Sequence, residues 1–150
     1  MSITFSSQLS PFRLRDRKKI QDWITQVVIR EGKRVGKIAY LFCDDEYILQ
    51  ANRNFLQHDT YTDIITFDYV EGDYISGDIL VSVERVRDNA KKFKVSSREE
   101  LLRVIIHGVL HLLGQGDKSE AEAAQMRRKE DSALCLWHLM EGDVSQETSV

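Results

Sequence analysis

The 150-residue chain has very little proline and cysteine. With one proline and eight glycines, no stretch has the composition of a linker. No internal repeat or low-complexity block is visible either. Cys43 and Cys135 lie far apart and form no C-x-x-C pair, so they read as small buried apolar groups rather than a disulfide or a metal pair. No apolar run approaches the roughly 20 residues needed to cross a bilayer. The opening "MSITFSSQLSPF" lacks the basic region and apolar core of a secretory signal, so a cytoplasmic protein without membrane partners is expected. A surplus of cations is missing too: 21 Lys and Arg stand against 24 Asp and Glu, a net charge of −3. That argues against a general nucleic-acid coat but leaves room for a local basic groove.

What is present is the balance of a globular domain, 42% apolar and 30% charged. "SITFSS" reads as a first strand. Ile20, Trp23, Ile24, Val27 and Val28 share one helical face, stopped by Gly32. "VGKIAYLFC" reads as a mostly buried strand. Asp44 or Asp45 caps a helix carrying Tyr47, Ile48, Ala51 and Phe55. "DIITFDYV" and "YISGDILVSV" read as a hairpin or neighbouring strands, followed by the basic helix "ERVRDNAKKF". A capping box, Ser97 with Glu100 or Ser96 with Glu99, opens a helix apolar on most sides and therefore central. Gly114 stops it, and Ser119 with Glu122 opens a last helix through Met140. The expectation is an α+β (mixed α/β) fold, a small mixed sheet of about four strands with about five helices. One domain spans residues 1–140, and 141–150 form a flexible acidic tail.

Within the central helix stands "IIHGVLHLLGQGD", where two histidines and a carboxylate interrupt an apolar run. Such groups need partners when buried. His107 and His111 are four residues apart, on one helix face. The glycines of "GQG" can reverse the chain and bring Asp117 back beside them. Two nitrogens and one oxygen leave a fourth position for water, which is an open, catalytic type of zinc site at the end of the helix. The alternative is two half-buried imidazoles bonded to backbone, with Asp117 a turn residue before Ser119. Gly108 occupies the position that carries the glutamate base in H-E-x-x-H peptidases, which disfavours that class.

"HGVLHLLGQGD" resembles the signature H-G-x-L-H-L-x-G-Y-D-H of the YbeY endoribonucleases. "TDIITF", Thr62 to Phe67, resembles their T-D/N-V-L-S-F segment, and "SGDILVS" from Ser76 their G-D-I strand, in the same order and spacing over residues 40–130. The resemblance implies a small zinc-binding domain with one Zn2+ per chain, held by His107, His111 and Asp117. It also implies a metal-dependent endoribonuclease whose partners are single-stranded RNA, ribosomal RNA and the ribosomal subunit. The expected role is ribosomal-RNA processing and ribosome quality control. The family's third histidine falls on Asp117, an anionic ligand that also suits manganese or nickel. The family arginine six residues before the threonine falls on Leu56. Arg53, one helical turn earlier, is the candidate catalytic substitute, with His58 a nearby polar alternative. Two rival readings remain: a non-catalytic, metal-stabilised ribosome-assembly factor, and a metallohydrolase of another class such as a peptidase.

Between Glu84 and Arg103, seven basic residues outnumber four acidic ones, either as a wall of an RNA groove or as a solvated helix face. Asp78 is a candidate acceptor behind a ligand histidine, or a strand-edge residue. Met126 reads as core packing.

Overall fold

The computed structural model describes residues 1–9, 12–55 and 62–149, with side chains described through residue 140. Strands β1 (Ser2–Ser7), β2 (Arg34–Cys43), β3 (Ile64–Asp68) and β4 (Tyr74–Ser82) form one sheet in the order β1-β2-β4-β3. β1, β2 and β4 run parallel, and β3 pairs antiparallel with β4 as the sequence pattern implies. The helices are α1 (Arg17–Arg30), α2 (Asp45–Phe55), α3 (Val83–Phe93), α4 (Ser97–Leu112) and α5 (Glu120–Ser149). The expected mixed fold is therefore present. The acidic segment from 141 lies beyond the described side chains.

Local chemistry accounts for the helix starts. Asp44 Oδ1 accepts from the Tyr47 amide at 2.8 Å at the head of α2. Of the two serines available to α4, Ser96 is the cap, accepting from the Glu99 amide at 3.0 Å. Ser119 and Glu122 complete a reciprocal box at the head of α5, at 3.1 and 3.2 Å.

Alternation sorts the sheet into two faces. Ile38, Tyr40 and Phe42 of β2, with Ile75 and Ile79 of β4, pack in the main core with α1, α4 and α5. Cys43, Ile48, Ala51 and Ile65 make a smaller core beneath α2. Tyr47 and Phe55, expected on the apolar face of α2, are exposed at the rim of that helix. The Tyr40 hydroxyl donates to the Ile105 carbonyl at 2.8 Å, tying β2 to the middle of α4. Gly108 lets α4 settle on the sheet: a Cβ there would stand 3.0 Å from Ile64 and Ile79 methyls. The residue that disfavoured a peptidase is thus a glycine for packing reasons.

The cysteines differ from each other. Cys43 is buried and its thiol is pushed up to about 12, mainly by burial and then by Asp44 and Asp45. Cys135 is exposed, which corrects its assignment to the core. A colorimetric thiol titration at pH 8 should find one reactive thiol in the native protein and two after denaturation. Cys135→Ser should abolish the native signal.

Candidate metal centre

α4 presents Glu100, Arg103, Val104, His107 and His111 along one face, at helical spacings of three and four. That face lines a cleft of about 900 Å³ opposite β3 and the start of α5. At the C-terminal end of α4, the Gly114 amide bonds the His111 carbonyl and the Gln115 amide the Leu110 carbonyl, both at 2.9 Å. Gly114 takes φ 95°, a turn that suits glycine. The chain then doubles back. A Cβ on Gly116 would lie 2.3 Å from a Glu122 carboxylate oxygen, so a larger residue there would displace the Glu122 side chain. The buried Gln115 amide donates to the Gly116 carbonyl at 2.9 Å and holds the loop.

This turn places Asp117 where the sequence reading put it. Asp117 Oδ2 stands 3.4 Å from His107 Nε2 and 3.3 Å from His111 Nε2. One ligand atom from each of the three residues lies within 4.8 Å of the others, a group that could hold a metal ion. The remote ring nitrogens are engaged elsewhere. His107 Nδ1 is 2.6 Å from Glu130 Oε2, and His111 Nδ1 is 2.9 Å from the Gln115 carbonyl. Carbonyl and carboxylate only accept, so each ring donates through Nδ1 and, when neutral, turns the lone pair of Nε2 toward Asp117.

Glu130 is the residue that sequence reasoning missed. It is buried on α5 and also accepts from Arg103 Nη1 at 2.8 Å, while Arg103 Nη2 donates to Asp131 at 2.8 Å. Burial opposes the ionised form of Glu130, but the bonds from His107 and Arg103 prevail and hold its carboxyl below the usual range. Burial likewise opposes charge on His107, and the bond and charge of Glu130, with Asp117 and Asp63, outweigh it and raise the imidazole above its ordinary value. A signal was available. Glu130 shares the buried stripe of α5 with Met126, Ala133, Leu134 and Trp137, where a carboxylate needs a partner. Met126 is buried, as read.

The other candidates separate. Asp63, from the T-D segment, lines the cleft, and burial raises its carboxyl. Asp78 does not stand behind a ligand histidine. It alternates onto the α2 side of β4 and lines a second groove with Tyr47 and Tyr69. On α2, the buried Asn52 lines the cleft, whereas Arg53 is exposed and is not among the cleft-lining residues. Leu56 and His58 lie outside the described residues. The basic run does not form a single wall. Arg85 bonds Asp45 at 2.9 Å, Arg103 faces the cleft, and Arg87 and Arg98 line a separate concavity.

A helix end that gathers two imidazoles and a carboxylate at the mouth of a polar cleft defines a protein with a candidate open metal centre. A sequence model described as endoribonuclease YbeY matches residues 4–138. The chain is 53% identical over 128 residues to the endoribonuclease YbeY of Flavobacterium johnsoniae, covering 85% of this chain and 92% of that protein. It is 55% identical over 120 residues to the one from Porphyromonas gingivalis strain W83, covering 80% of each. The solution structure of TM1509 from Thermotoga maritima matches with a TM-score of 0.63 at 26% identity, over 91% of this chain and 92% of that one. The chain belongs to the YbeY endoribonuclease family.

Proposed function

We propose that this chain is a zinc-dependent, single-strand-specific endoribonuclease that acts in ribosomal-RNA processing and ribosome quality control, with one ion held by His107, His111 and Asp117. The observation that carries the reading is the convergence of His107 Nε2, His111 Nε2 and Asp117 Oδ2 while both Nδ1 atoms are committed to fixed acceptors. The residues fit such an ion: the set is two imidazole nitrogens and one carboxylate oxygen, already oriented. A bound ion would act as a Lewis acid on a phosphoryl oxygen and lower the pKa of a water in its open position.

The protein's own part is positioning and charge. Glu130 and the Gln115 carbonyl hold the two rings in one tautomer and orientation. A cleft of about 900 Å³ has the size of a small-ligand site, which suits splayed-out nucleotides better than a duplex. Asn52, Thr62 and Asp63 supply polar groups on the wall facing α4. Negative charge building on the phosphate needs a cation. Arg103 is committed to Glu130 and Asp131, whereas Lys118 and Arg127 also line the cleft.

Cleavage of single-stranded and duplex RNA by metal-loaded protein tests the proposal, with His111→Ala as control. Cleavage of the single strand alone, lost in the control, is the expected result. Equal cleavage of both strands removes the single-strand claim. Absence of cleavage together with binding to ribosomal subunits favours the assembly-factor reading. The same assay decides the cation. Arg127→Ala should lower the cleavage rate at least about tenfold, about 1.4 kcal/mol of barrier, with metal content and thermal midpoint unchanged. Arg53→Ala is the parallel measurement. A larger loss there would return the role to α2.

A further inference from the structure

The cleft of the candidate metal centre extends along α4 well beyond the histidines. Glu100, in the first turn of α4, lines it on the same helix face as His107 and His111. At 1.5 Å per residue, Glu100 lies about 10 Å from His107 and about 16 Å from His111 along the axis. Only Lys94 to Ser96 join α3 to α4, so the C-terminal end of α3 stands at this far end of the cleft. α3 contributes two lining residues there, Asn89 and Phe93, one helical turn apart and therefore on one side of the helix. Asn89 Nδ2 is 3.5 Å from Asp63 Oδ2, which ties that side of α3 to the residue just before β3.

Phe93 is the unusual member of this wall. Val83, Val86 and Ala90 of α3 are buried, whereas Phe93 is 56% exposed. Apart from His107 and His111, no other aromatic residue among the described residues lines the cleft. The Phe93 ring packs on no other described aromatic ring. Its backbone is nevertheless fixed. Lys94 closes α3 at φ 57°, and the Val95 amide bonds the Ala90 carbonyl at 3.0 Å. A large flat apolar face is thus held toward a polar cleft on a pinned helix end. Phenylalanine has two side-chain torsions, so ordering it on binding costs little.

The charges around it favour a base over a phosphate at this wall. Asp63 and Glu100 are acidic, and Arg103 is committed to Glu130 and Asp131. The other lining cations, Lys118 and Arg127, come from the turn before α5 and from α5 itself, which α4 separates from α3. A strand that turns its phosphates toward those cations turns its bases toward α3.

We propose that Phe93 is a base-stacking residue that takes the face of one unpaired nucleobase and so selects single-stranded RNA. At about 3.4 Å per nucleotide of a stacked strand, that base lies about three to five nucleotides from the candidate metal centre. The proposal rests on the RNA reading above. In a duplex both faces of a base are covered by its neighbours, whereas every unpaired base offers a π face. The contact therefore selects for strandedness and tolerates any sequence.

The test uses the full chain and non-cleavable 2′-O-methyl oligoribonucleotides of about 8 nucleotides, long enough to span the metal centre and Phe93. Phe93→Ala and Phe93→Leu should each bind the single strand at least about fivefold more weakly than wild type, and Phe93→Trp should bind it as well or better. Binding of the same length of duplex, and of a strand whose bases are all removed, should be equal in all four proteins. The thermal midpoint and metal content should not change, because the ring is exposed and remote from the ligands. Unchanged single-strand affinity in Phe93→Ala would overturn the proposal and leave the RNA reading standing. Full affinity in Phe93→Leu would overturn it too, since apolar bulk would then suffice without a ring. So would an equal weakening on the abasic strand, which has nothing to stack. Wild-type protein that binds no strand removes the RNA reading, and this role with it.

Discussion

Replacing His107 and His111 together by alanine is expected to take bound metal from one ion per chain to none and to abolish RNA cleavage. Each residue offers an Nε2 to the same point, and Asp117 alone cannot hold a transition ion. Elemental analysis of protein purified without chelator measures this directly. Asp117→Ala should weaken binding in a metal-competition titration, because it removes the one anionic ligand. Asp117→His, which restores the family's ligand type, should keep the ion. Its longer side chain reaches from the turn that Gly114 opens at φ 95°. Stoichiometric metal in the double alanine variant would show that the ion sits elsewhere.

Glu130→Ala should be the most damaging single change near the site. In metal-free protein the loss of stability should be about 3–5 kcal/mol, because Arg103 and His107 are left half-buried without their shared acceptor. Metal affinity should fall about 10- to 100-fold, since nothing then fixes the His107 tautomer. Glu130→Gln should recover part of the stability by accepting one bond through its amide oxygen. The pH dependence of the metal-free protein follows from the same pair. Glu130 is held below its ordinary carboxyl value, so its contribution is complete above that value and disappears as pH falls through the lowered one. His107 is raised, so its contribution is complete below the ordinary imidazole value and disappears as pH rises through the raised one. Denaturant melts across pH should therefore show the wild-type advantage over Glu130→Ala peaking between those limits. A flat difference would mean that the pair is not ionised in the folded state.

Much of the centre was legible because its parts are close in sequence. His107 and His111 are one helical turn apart, and the glycines after Leu113 permit a sharp reversal that can bring Asp117 back near them. Capping boxes and periodicity located α4 and α5 for the same reason: each depends on residues within a turn of one another. Asp78 was misplaced because strand alternation gives two faces without saying which one meets α4.

The sequence by itself determined the helix and strand order, the buried central helix and the local cluster of two histidines and a carboxylate, all consequences of short-range backbone geometry and of apolar periodicity. Only the tertiary structure decided what stands behind and around that cluster. Glu130 reaches His107 across 23 residues, and Arg103 reaches Glu130 across 27. Such partners meet because helices pack against a sheet whose strand order, β1-β2-β4-β3, departs from chain order. Packing between distant segments minimises buried unpaired charge over the whole molecule, and no local pattern carries that sum.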